Sequence, residues 1–280
     1  MKERFSQRIG KTPRRTALQV ESVDEPLKNS IWNVLYRHFA EPLHYSGFGI
    51  LAHSLAVKYL KIPIDGIPED DDDRYRYVKT YYFTKIADWW VVYDFLELSF
   101  AVYATHVAKH LKTNPAQFSQ AINKVLEREA SAYRLLEGRV VPISNPTEVA
   151  TIEEAVHSAL PGASTHITSA LHFLAIKPKP DYRNAIKESI SAVESACKVL
   201  SGKTTGGLDD ALTVVNQKSP LHGALKAAFR SLYGYTSDEK GIRHALGDDS
   251  TTPAGYPEAK FMLVACSAFV NYLVDRTRQA

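Results

Sequence analysis

The chain has 280 residues, 45% hydrophobic and 23% charged, which is the balance of a soluble globular protein with material for one large domain or two ordinary ones. Its 34 Lys and Arg against 31 Asp and Glu leave a net charge of +3, which excludes a global field for a polyanion and confines any nucleic-acid site to a local patch. The two cysteines, Cys197 and Cys266, fall in apolar helical patterns, so they predict buried thiols in a reducing compartment and exclude a disulfide framework.

The opening MKERFSQRIGKTPRRT is basic but lacks the apolar run of a signal peptide. The nearest approach to a membrane span, 89–107, is interrupted by Asp94 and Glu97. A cytoplasmic protein with no membrane partner is expected. Residues 1–23 read as irregular, with a short basic turn around Arg14 and Arg15. Asp24 as N-cap, Pro26 in the first turn, and Leu27, Ile31, Val34, Leu35 and His38 at helical spacing predict a helix over 25–39 that Pro42 ends. A second helix over 48–60 stops before Ile62-Pro63. The five acids from Glu69 to Asp73 read as a solvated loop, because adjacent carboxylates on an extended segment do not converge on a cation.

Residues 77–111 are apolar around most of a helix circumference and predict one long, aromatic-rich central helix. Their Trp and Tyr residues, at helical spacing, read as core and not as a base-stacking platform. Another helix is expected over 117–136, after Asn114-Pro115. Within YRLLEGRVVPI, residues 133–143, Glu137-Gly138 between short apolar runs predicts a turn joining two short strands. Ser144-Asn145-Pro146 forms a loop, and the domain boundary falls there, giving domains 1–145 and 146–280. Thr147 can cap a helix through 160, Pro161-Gly162 breaks it, and 166–176 makes the next.

Asp181 caps the most legible helix, 182–200. Ile186, Ile190, Val193, Cys197 and Leu200 form its apolar ridge, and Ala185, Ser189, Ala192 and Ala196 form a small-residue stripe that admits a close neighbour. Lys187, Ser191, Glu194 and Lys198 line the other flank, with Glu194 partly exposed beside the ridge. GKTTGG, in the loop that follows, lacks the spacing and the preceding strand of a phosphate-binding loop. Helices over 208–215, 221–233 and 257–276 complete the chain.

Most catalytic constellations are missing. The histidines are scattered, with no His-Glu-x-x-His or paired-Cys motif, and His157, His166 and His172 are spaced too irregularly for one helical face. There is no Gly-x-Ser-x-Gly elbow, and neither Cys has an activating context. No metal site and no cofactor is predicted. What remains is Arg243-His244, between Gly241 and the Gly247-Asp248-Asp249 turn and close before a core helix. An imidazole that titrates near neutral pH beside a planar guanidinium suits binding and chemistry at a phosphate; a surface dipeptide is the plain alternative.

The pattern DYRNAIKESISAVESACKVLSG, followed by SDEKGIRHALGDD and a long apolar helix, resembles the HEPN-type domain of bacterial abortive-infection proteins. FSQRIGK, LKNSIWNVL and YRLLEGRVVPISNPTEVATIEEAV are similar to the AbiJ-type N-terminal domain that precedes such domains. The resemblance implies a mainly α fold, a helical N-terminal domain plus a C-terminal HEPN-type helical bundle with a small β-hairpin at the junction. It also implies a homodimer and a metal-independent endoribonuclease or toxin of antiphage defence, with RNA and a protein partner or antitoxin as partners. Carried onto this sequence, His244 would be the acid/base, Arg243 the phosphate ligand and Glu194 their orienting partner, with Lys198, Lys187 and Lys240 binding RNA. HEPN ribonucleases usually separate their Arg and His by a short stretch, and here Arg243 and His244 are adjacent. Two outcomes stay open: a nuclease, or a non-catalytic HEPN module for dimerisation and RNA or protein binding.

Overall fold

The computed structural model describes residues 5–9, 11, 18–176, 179–202, 208–218, 222–237 and 255–278. Its contacts divide the chain into two units, Met1–Ser144 and Asn145–Ala280. The fold is mainly α, with one two-stranded hairpin among the described residues.

In the first unit a short helix α1 (Phe5–Arg8) precedes α2 (Glu25–Phe39). Asp24 accepts the Leu27 N–H at 2.9 Å and Pro26 occupies the first turn, so the cap and the fixed φ start α2 where the sequence predicts. Its buried face carries Leu27, Ile31, Trp32, Val34, Leu35 and Phe39. Helix α3 (Ser46–Ser54) runs on into a π-helical segment, Leu55–Leu60, which Lys61 ends in a left-handed conformation.

The acidic run is a loop only at Glu69 and Asp70. Asp70 accepts the N–H groups of Asp72 and Asp73, and Asp71, Asp72 and Asp73 form the first turn of α4 (Asp71–Thr80). Carboxylates at a helix N-terminus meet unpaired N–H groups and the positive end of the macrodipole, so the run starts a helix. Arg74 and Arg76 each reach back one turn, to Asp71 at 3.1 Å and Asp73 at 2.7 Å.

The long helix expected over 77–111 is also corrected. Helix α4 passes into a π-helical segment, Tyr81–Lys85, and the backbone then becomes extended at Ile86 and Asp88 before α5 (Trp89–Val102). A third π-helical segment, Tyr103–Val107, leads into α6 (Ala108–Leu111). The break is held from across the core, where Lys28 Nζ donates to the Ile86 carbonyl at 2.8 Å. The two halves bury separate faces, α4 against α3 and α5 against α3 and the hairpin, which is why the stretch reads as continuously apolar. Trp32 sits among Phe48, Tyr75, Tyr82 and Phe83 with ring centroids 5.3 to 6.0 Å away. Trp90 is an exception to the expected aromatic core and lies exposed.

Helix α7 (Ala116–Arg128) ends eight residues before the expected position 136. Ala130 then takes a positive φ, and Gln19 bridges to Ser131. The hairpin follows as expected, with β1 (Arg134–Leu136) antiparallel to β2 (Arg139–Val141) and Arg134 opposite Val141. Both turn residues have positive φ, Glu137 at 46° and Gly138 at 75°, as the tightest hairpin turns require. Asn123 clasps Leu135 through both its N–H (2.8 Å) and its carbonyl (2.9 Å), and Glu97 accepts the Val140 N–H. The buried Arg134 guanidinium donates to the carbonyls of Ser131, Tyr133 and Ser144, so three backbone acceptors offset the cost of burying its charge.

In the second unit Asn145, not Thr147, caps α8 (Pro146–Val156), accepting the N–H groups of Thr147 and Glu148, and α8 ends four residues before the expected 160. Pro161 opens α9 (Pro161–Ala175) where a break was expected, because its missing N–H costs nothing in a first turn. Asp181 accepts the Asn184 N–H and starts α10 (Tyr182–Ser201), which Gly202 closes at φ 75°. Helices α11 (Leu208–Lys218), α12 (Gly223–Ser237) and α13 (Tyr256–Arg278) complete the unit. Helix α10 is its centre, packed on α9, α13 and α11, while α8 packs on α13 and α9. Among the described residues no helix is long and apolar enough to cross a membrane.

A Cβ at Gly138 would lie 2.7 Å from Phe100 Cδ1 as well as sitting at positive φ. Gly138→Ala should therefore lower stability by about 2 kcal/mol, from left-handed strain plus overpacking, read as a fall in the urea midpoint at unchanged m-value. An unchanged midpoint would contradict the hairpin geometry.

Candidate functional site

Helix α10 sorts its residues by chemistry around its circumference. The ridge of Ile186, Ile190, Val193 and Cys197 is buried, and so is the whole small-residue stripe of Ala185, Ser189, Ala192 and Ala196, each at 0% exposure. The stripe is thus occupied inside this chain and offers no surface to a second copy. Its small side chains let the neighbouring helices come close, and the Ser189 hydroxyl is satisfied by the Ala185 carbonyl at 2.7 Å.

The polar flank faces outward. Lys187 is exposed, while Ser191, Glu194 and Lys198 are half-buried. Helical spacing puts Lys187, Glu194 and Lys198 on one arc, because positions three, four and seven apart share a face. Glu194 follows Val193 of the ridge directly, so its backbone is fixed by core packing while its carboxylate stays near the surface. Its charge adds to the burial that pushes the Cys197 thiol up to about 12. Burial alone does the same for Cys266. Both thiols are free and neutral, so neither is a nucleophile.

Of the predicted site residues the structure brings Glu194, Lys187 and Lys198 to this flank. Arg243, His244 and Lys240 lie outside the described residues. Among the described residues no group of His, Cys, Asp and Glu is arranged to hold a metal ion.

One pair escaped the sequence. His166 Nδ1 on α9 meets Glu188 Oε2 on α10 at 2.7 Å, with both side chains partly exposed. The helices run antiparallel and touch closely here, since a Cβ at Gly162 would land on the Ser195 hydroxyl. The three histidines between Val156 and Phe173 do fail to share a helical face, but the partner that matters for His166 is on the next helix. The signal was the glycine at 162, which marks where the two helices come together. Farther along the unit, a cleft of about 170 Å³ is lined by Glu154, His157, Asn271 and Arg278, where Asn271 bridges the Thr151 carbonyl and the Glu154 carboxylate at 3.0 Å each.

A family model described as AbiJ N-terminal domain 4 matches residues 3–158, which takes in the first unit and α8. No curated protein and no solved structure matches the chain.

The two thiols give a direct test of the packing around α10. An aromatic disulfide reagent at mildly alkaline pH should leave both Cys197 and Cys266 unmodified in the folded protein and titrate both once denaturant is added. Fast reaction of either thiol in the native state would show that the ridge is open.

Proposed function

Because the chain belongs to the AbiJ N-terminal domain 4 family, we propose that it is a bacterial antiphage abortive-infection protein whose C-terminal unit is a HEPN-type, metal-independent endoribonuclease. The family match is the observation that carries the defence reading. The nuclease reading rests on the resemblance of the second unit and on the polar flank of α10.

In this mechanism the RNA 2′-hydroxyl attacks the adjacent phosphorus and the 5′-oxygen leaves. His244 takes the hydroxyl proton and returns one to the leaving oxygen, while Arg243 neutralises the charge that develops on the phosphoryl oxygens. The two residues together supply proton transfer and charge stabilisation, so the step needs no metal. Glu194 orients one of them through a hydrogen bond. Its position favours that role, since a half-buried carboxylate on a backbone locked by the ridge is held better than one on a loop. Lys187, Lys198 and Lys240 would hold the RNA backbone. A homodimer remains part of the proposal, and with the small-residue stripe buried it would form through another face.

A second reading is favoured by the charge balance. A net charge of +3 is low for an RNA-binding protein. In that reading the unit is a non-catalytic HEPN module that dimerises or binds RNA, an antitoxin or another protein, and Arg243-His244 is structural.

One set of variants separates the two. As a nuclease, His244→Ala should lose about 10²–10⁴-fold in RNA cleavage with its melting temperature kept. Arg243→Lys should fail as well, since an ammonium cannot reproduce the guanidinium fork. Glu194→Gln should lose less, because it positions a group and transfers no proton. A folded His244→Ala protein that still cuts RNA at the wild-type rate, or a wild type that never cuts it, would overturn the nuclease and leave the binding module.

A further inference from the structure

The first unit carries a cavity that the proposed function leaves unused. It has a volume of about 700 Å³, within the size range of small-molecule sites. One wall is a single face of α4 and its π-helical extension: Asp73, Arg76, Tyr77, Thr80 and Tyr81 recur at helical spacing, and Lys85 closes the row. Leu60 and Pro68 complete the lining. The back of the same helix buries Val78 and Tyr82 completely, so this wall cannot rotate away from the cavity.

Two independent features mark the cavity as a site. The first is the backbone around it. Leu60 is the last residue of one π-helical segment, and Tyr81 and Lys85 are the first and last of another. Such segments are rare and occur disproportionately at functional positions. The second is charge. Asp73 of the lining is already matched by Arg76 at 2.7 Å. Lys85 has no ion-pair partner among the described residues, so the lining offers one unpaired ammonium beside two half-buried tyrosine rings.

We infer that this cavity binds a nucleoside monophosphate. A planar base would find the Tyr77 and Tyr81 rings and the apolar Leu60 and Pro68 to pack on, where stacking is sequence-tolerant and favourable, and its phosphate would meet Lys85. The size of the ligand is limited by charge. Asp73 is part of the lining and follows the acids Glu69 to Asp72 in the chain at the start of α4, a concentration of negative charge that would repel a polyanion, so a single nucleotide is favoured over an RNA strand. The inference is independent of whether the second unit is a nuclease.

Titration calorimetry of the full chain with adenosine 5′-monophosphate, adenosine and inorganic phosphate tests it. The monophosphate should bind, adenosine should bind about tenfold more weakly for lack of the charge-assisted contact, and phosphate alone should give no heat. Lys85→Gln should bring the monophosphate down to the affinity of adenosine. Thr80→Trp, at an exposed position whose larger side chain fills the cavity, should abolish binding of both. Circular dichroism on the same variants confirms that each is folded. No heat from the monophosphate at about 1 mM would overturn the proposal. So would equal affinity for adenosine, or wild-type binding by folded Thr80→Trp.

Discussion

Every helix in this protein must supply partners for the N–H groups its first turn leaves open, and the side chains that do so set the frame of both units. Asp24, Asp70, Asn145 and Asp181 each accept one or two of these N–H groups. A cap does more than stabilise an end by about 1 kcal/mol. By fixing the first residue of a helix it fixes the angle at which every later residue leaves the axis. The buried face of α2 and the polar flank of α10 are therefore both consequences of one aspartate placed ahead of them.

From that frame the two units fill their cores in different ways. The first uses large aromatic rings: Trp32 is surrounded by four others, and Phe39 packs against Phe48, Tyr103 and Phe118. Rings of this size hold helices apart and leave irregular gaps at the edges, and the cavity beside Tyr77 and Tyr81 is one such edge. The second unit uses alanine and serine along α10 so that α9 and α13 can approach it closely. Close packing there makes α10 a rigid support, and whatever Glu194 does it does from a fixed backbone.

Much of this was legible in the sequence, and the misses share a cause. Local signals read well: the Asp24 and Asp181 caps, the ridge of α10 and the Glu137-Gly138 turn all depend on neighbours in the chain. Sequence reading failed where the deciding partner was distant or where one residue type serves two ends. Asp70 to Asp73 look alike in a loop and in a first turn, and only the helix behind them decides. The break at Ile86 depends on Lys28, and the His166–Glu188 contact joins two helices. Pro161 could equally end one helix or open the next. Of the candidate site, the flank of α10 was readable because it is periodic, and the Arg243-His244 half lies outside the described residues.

The three π-helical segments bear on how this chain can change length. Each closes its hydrogen bonds over one residue more than an α turn, so the helix beyond it is turned by roughly 100° from the path an unbroken α-helix would take. At Tyr103–Val107 that extra residue lets Val107 and Ala108 face inward and leaves Lys109 and His110 in solvent. Losing one residue there would restore a regular helix with its hydrogen bonds intact but would carry Lys109 toward the core. The same loss at Leu55–Leu60 or Tyr81–Lys85 would fall just before a non-helical connection, which absorbs the rotation. In an alignment, one-residue gaps therefore belong at these last two segments, and α2 and α10, which have no such slack, should be gap-free.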